Sequence, residues 1–142
     1  MGYNDYLTIE QVETVLPTVS VLLERARTFK KEIEDVAAYY NYDQVLMQEE
    51  RPRFQILSAQ LRQTIEALED LGCYVKDLDI GIVDFLSTFE GRDIFLCWRL
   101  GERNIKHWHE IDESFAQREE IIDLTHLVPE LNFVTPVVEN EN

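Results

Sequence analysis

The stretch FLCWRLGERNIKHWHE, Phe95 to Glu110, decides how the rest of the chain is read. It holds a cysteine, two tryptophans, two arginines and two histidines. Its apolar residues alternate with polar ones at the period of a strand rather than of a helix. Gly101-Glu102 at its middle suits a two-residue turn of type II′, which takes glycine first. The spacing predicts a hairpin of two strands, Asp93–Leu100 and Arg103–Glu110. In that register Leu100 faces Arg103, Trp98 faces Ile105 and Phe95 faces Trp108. Side chains alternate across a strand, so Ile94, Leu96, Trp98, Ile105, His107 and His109 share one face. Phe95, Cys97, Arg99, Lys106 and Trp108 share the other. The third strand is thus partly apolar on both sides, and such a strand needs cover on both.

Upstream, two further strands are expected at Cys73–Lys76 and Ile82–Leu86. Before them the rhythm is helical. Thr8-Ile9-Glu10-Gln11 has the form of a capping box, a hydroxyl followed three residues later by an amide side chain. Pro17 is expected to end the short helix that starts there and to open a new one, since proline lacks the N–H but suits a first helical position. Leu22, Ala26, Phe29, Ile33, Val36 and Tyr40 then form one stripe. Asn41 to Arg51 breaks the period and reads as a loop. Pro52 opens a second long helix, with Phe54, Leu57, Leu61, Ile65, Leu68 and Leu71 on one face and Gly72 as its stop.

The expected fold class is therefore α+β. A long antiparallel helical hairpin (8–72) packs on a small antiparallel β-meander of three to four strands (73–110). Residues 1–120 form a single domain, and 121–142 an acidic C-terminal extension. The hairpin covers one sheet face. The other awaits LVPELNFVTPVV (127–138) or a second subunit.

Thirteen basic against 28 acidic residues give a net charge of −15. From Glu110 onward there are nine acidic residues and one basic, a net of −8. Such a balance repels phosphate backbones and anionic lipid, which excludes nucleic-acid and membrane partners. No apolar run reaches the length of a membrane span. The opening MGYNDYLTIEQ lacks the basic stretch and apolar core of a secretory leader. Two cysteines make no disulfide framework and fit a reduced cytoplasmic compartment.

Candidate chemistry gathers on the hairpin. His107 and His109, two apart on a strand, share a face and suit two ligands of one divalent metal. A third ligand is needed; the register above points Cys97 away from them and leaves Asp84 open, and no cofactor is expected beyond such an ion. Asp84, Arg99, Glu102, His109 and Arg118 could converge at the end of the sheet as an acid–base site. Asp84 sits between Val83 and Phe85 in an apolar strand, so burial and a partner are expected, either Arg99 or backbone N–H groups of the adjacent loop. The plainer alternative is a structural ion pair that fixes register. Cys97, flanked by Leu96 and Trp98, reads as a small buried hydrophobe rather than a nucleophile. No nucleophile elbow, Walker or Rossmann glycine pattern occurs.

GIVDF (Gly81–Phe85), LCWRLGE (Leu96–Glu102), HWHE (His107–Glu110) and F-A-x-R (Phe115–Arg118) follow one another in this chain. With the T-x-E-x-V…LP element of Thr8–Pro17, they resemble an uncharacterised prokaryotic family described only as a domain of unknown function. The resemblance runs from about Tyr6 to Glu120. It implies a helix hairpin beside a sheet and supplies no activity. The function expected from the sequence is a non-enzymatic interaction or structural domain acting as a homodimer. The rival is a small-molecule-binding protein or metal-dependent enzyme with its site around Asp84, Arg99, Glu102 and His109.

Overall fold

The capping box at Thr8 forms. In the computed structural model, which describes residues 6–40 and 44–121, Thr8 N–H donates to Gln11 Oε1 at 2.9 Å. Gln11 N–H returns a bond to Thr8 Oγ1 at 3.0 Å. The helix that starts here, α1, runs without interruption from Ile9 to Tyr40. Pro17 lies inside it and does not divide it, contrary to the expectation. The physical reason is orientation. Pro17 and Glu13, whose carbonyl loses its bond, are both exposed, so water takes the place of the missing N–H. The second helix, α2, spans Gln44–Asp70 and starts eight residues before Pro52, which again is exposed. Most of the expected loop is therefore helical, and its residues 41–43 lie outside the described part. Gly72 ends α2 as expected, at φ +86° with its N–H on the Glu69 carbonyl at 2.9 Å.

Five strands follow: β1 Cys73–Asp77, β2 Ile82–Phe89, β3 Arg92–Arg99, β4 His107–Glu110 and β5 Glu119–Glu120. They form one antiparallel sheet in chain order, with one strand more than the three to four expected. The fold is α+β. One sheet face carries Val83, Phe85, Ile94, Leu96, Trp98 and Trp108. These join Val12, Leu16, Val19 and Leu23 of α1 and Leu68 of α2 in a contiguous buried cluster. The α1 residues in that cluster precede or interleave the stripe read from Leu22 onward.

The β3–β4 register differs from the expectation by one residue. Phe95 pairs with His109 and Leu96 with Trp108, whereas the two-residue turn would pair Phe95 with Trp108. Residues 100–106 form a longer connection, wrapped around Glu102. Glu102 N–H donates to the Arg99 carbonyl at 3.0 Å, Arg99 N–H to Glu102 Oε1 at 2.9 Å, and Trp98 Nε1–H to the Glu102 carbonyl at 3.1 Å. A slip of one residue turns every side chain of a strand to the opposite face. Trp108 thereby joins the helix-side core, and His107 and His109 move to the outer face with Cys97.

Candidate functional site: a buried Asp84–His109 pair on the outer sheet face

The outer face is where the central strands place their polar residues. Asp84 on β2 is directly opposite Cys97 on β3, and Cys97 is opposite His107 on β4. His109 sits one pair further along, opposite Phe95, and reaches diagonally across β3. Its Nε2 lies 3.0 Å from Asp84 Oδ2, with both side chains almost wholly buried at 2% and 3% exposure. Its Nδ1 lies 2.8 Å from the Glu110 carbonyl. Both neighbours are oxygen atoms, and a doubly protonated ring would donate to each. Burial pulls its pKa down, but the Asp84 carboxylate and Glu110 carbonyl outweigh burial and hold it above the ordinary histidine value.

The other carboxylate oxygen, Asp84 Oδ1, is buried and receives no full hydrogen bond from the described residues. Cys97 approaches the same carboxylate. Burial first, then the Asp84 charge, pushes its thiol up to about 12, so it stands protonated and is no nucleophile. The Sγ of Cys97, a ring nitrogen of His109 and a carboxylate oxygen of Asp84 all lie within 4.8 Å of one another. This is the trio among the described residues that could hold a metal ion.

After β4 the chain turns back over this face. Ile111, Glu113 and Phe115 border a pocket of about 270 Å³ whose floor includes Asp84, Phe95 and His109. Arg118 fastens the segment. Its guanidinium grips Glu102 with bonds of 2.6 and 3.2 Å, stacks 4.1 Å from the centre of the Phe115 ring and reaches the Cys97 thiol. Glu102 is pulled two ways: burial raises its pKa, and the bonds from Arg118 and Arg99 N–H win and lower it. His107 lies beside this ion pair. Burial and the Arg118 charge lower its pKa, and it is not one of the trio.

Asp84 is thus buried and paired as expected, but its partner is His109. Arg99 is exposed at the end of β3. Glu102 and Arg118 form a second cluster, and the segment that covers the outer face among the described residues is 111–118. Residues 127–138 lie outside the described part. Among the described residues the cluster that could hold a metal ion is Asp84, Cys97 and His109; His109 belongs to it and His107 does not. Cys97 was discarded on the sequence because the assumed turn pointed it away; the signal that would have retained it was the Asp84–His109 diagonal, which exists only in the slipped register.

The chain matches the family model for DUF2203, uncharacterized conserved proteins, over residues 5–121, and it belongs to that family. No curated protein and no solved structure matches it. Among the described residues no helix is long and apolar enough to cross a membrane.

Proposed function

We propose that this protein binds a small molecule in the pocket between the outer sheet face and residues 111–118. The observation that carries the proposal is Asp84 Oδ1, a buried carboxylate oxygen without a full hydrogen bond at the floor of a pocket. Such an atom costs about 1–3 kcal/mol unless something satisfies it. The lining suits a ligand with an apolar body against Phe95, Ile111 and Phe115, and one donor or cationic group directed at Asp84. Binding fits better than acid–base catalysis. Both ring nitrogens of His109 are engaged, Arg99 is exposed at the end of β3, and Glu102 and Arg118, the remaining proposed members of a catalytic group, are spent on each other. The helical hairpin over 8–72, the single domain over 1–120 and the acidic extension over 121–142 belong to the same proposal.

A thermal-shift screen of small amines and hydroxyl compounds tests it, with Asp84→Asn and Phe115→Glu as controls. Ligands that raise the melting temperature of the parent and of neither variant are expected. A library that raises none in the parent counts against the pocket.

The interaction-domain reading keeps one observation in its favour. Val21 on α1 and Ile56 on α2 are 56% and 58% exposed, apolar surface on the long helices that a second copy of the chain would cover. The original reason for a homodimer, the uncovered outer face, is met in part by segment 111–118 of the same chain. Light scattering of the parent and of Val21→Lys/Ile56→Lys tests it: a dimer that the double variant dissolves is the expected result.

A further inference from the structure

We infer that Asp84, Cys97 and His109 form a three-ligand site for a divalent transition-metal ion, with the fourth position open to the pocket. The inference rests on the pocket proposed above and names an occupant of its floor.

Four observations point the same way. The donor atoms converge within 4.8 Å, close to the spacing of about 3.3–3.8 Å that bond lengths of about 2.0–2.3 Å impose on a four-coordinate ion. They come from three different strands of one sheet, β2, β3 and β4, so a rigid backbone holds them, and only small side-chain rotations are needed. His109 is oriented as a ligand should be. Its Nδ1–H is fixed on the Glu110 carbonyl, which aims Nε2 at the other two groups; a backbone carbonyl behind the ligating imidazole is the usual supporting contact in metal sites. Finally, Asp84 Oδ1 is left over once His109 holds Oδ2.

The donor set selects the ion. One imidazole nitrogen, one carboxylate oxygen and one thiolate sulfur suit zinc and its neighbours, whereas magnesium and calcium prefer oxygen alone. Coordination expels the Cys97 thiol proton and the His109 Nε2 proton to solvent. Counted as one carboxylate and one imidazolium, the trio carries no net charge before. It carries none afterwards, with a dication, a carboxylate and a thiolate. Two protons leave for one dication, so burial adds no uncompensated charge. The Cys73 thiol belongs to the helix-side cluster and does not compete.

The test is titration of chelator-treated full-length protein with cobalt(II). One ion per chain is expected, with a thiolate-to-cobalt charge-transfer band and the intense visible bands of four-coordinate cobalt. Zinc should displace it and raise the melting temperature. Cys97→Ser and Asp84→Asn should weaken cobalt binding by at least about tenfold, since loss of a mere supporting contact already costs that much. Circular dichroism checks that each variant is folded. If neither folds, the charge-transfer band in the parent still decides, because it requires sulfur on the metal. Absence of the band in the folded parent overturns the metal site. If organic ligands still stabilise the parent but not Phe115→Glu, the pocket survives that result; if nothing binds, both fall. Retention of the band in folded Cys97→Ser would also overturn the assignment, by placing the metal on another sulfur.

Discussion

Asp84 and His109 pair at a place where both side chains are almost wholly buried. Removing one partner of such a pair strands the other, at a cost of about 3–5 kcal/mol. Asp84→Ala should lose that much in urea denaturation, irrespective of any ligand, and a variant within about 0.5 kcal/mol of the parent would show that the pair carries no weight. Gly81, three residues earlier, is constrained for a different reason. Its φ is +77°, and an added Cβ would stand 2.6 Å from Leu100 Cβ, a backbone-bound atom that cannot swing aside. Gly91 has a similar φ of +79° with open space around it. Gly81→Ala should therefore cost about 2–4 kcal/mol, conformational strain plus overpacking, and Gly91→Ala only the strain, about 1 kcal/mol. Equal losses would mean that Leu100 yields freely. The glycine of GIVDF thus sets how closely the start of β2 approaches the β3–β4 connection that Glu102 organises.

Pro17 is the point where local chemistry and the element disagree. A proline inside a helix forfeits a bond to the carbonyl four residues back, and the exposed setting reduces the penalty without cancelling it. Pro17→Ala should stabilise the protein by about 1–2 kcal/mol, less than the full proline penalty because the unfolded chain also gains freedom. A chemical-denaturation midpoint that falls instead would mean the proline shapes α1 usefully. The same element explains what was legible in the sequence. Thr8, Gln11 and Gly72 are local signals, and each appears in the structure as read; of the helical stripes, Ala26, Val36, Leu57 and Leu68 are buried, whereas the α1 residues of the main cluster, Val12, Leu16, Val19 and Leu23, lie off the expected stripe. Pro17 and Pro52 misled because a proline's effect depends on which way its helix faces, and that is set by tertiary packing. The register of β3 against β4 misled for a related reason. Phe95 and Cys97 on one side and Leu96 and Trp98 on the other leave both faces able to take burial, so alternation alone does not choose between registers one residue apart. The choice lies in the turn, where Glu102 folds back on Arg99. With it went the candidate site: Asp84 was visible as a charge in an apolar strand, whereas its meeting with Cys97 and His109 was not.

Across the whole molecule, a charge of −15 gives the folded state a self-repulsion that acid relieves, so acid does not act on every group in one sense. The Glu102–Arg118 pair acts in the opposite sense. The folded pKa of Glu102 lies below its unfolded value, so its contribution is complete above the unfolded carboxylate range, about 4.3, and is lost as pH falls through the folded value. Stability of the parent should exceed that of Glu102→Gln at neutral pH, and the gap should close below that range. A gap independent of pH would show that the ionised form is not what matters. At this scale the strand order also has a temporal meaning. Each strand pairs with its chain neighbour, so the sheet closes through short loops and can assemble fast. The helices are made first, however, and Val12, Leu16, Val19 and Leu23 share their buried cluster not only with Leu68 of α2 but with strand residues as far along the chain as Trp108. During synthesis, α2 can meet α1 early, but the part of this apolar side that faces the sheet must wait for nearly the whole domain to leave the ribosome. Any rescue by chaperones would be needed in that interval and would become unnecessary once β3 and β4 have joined.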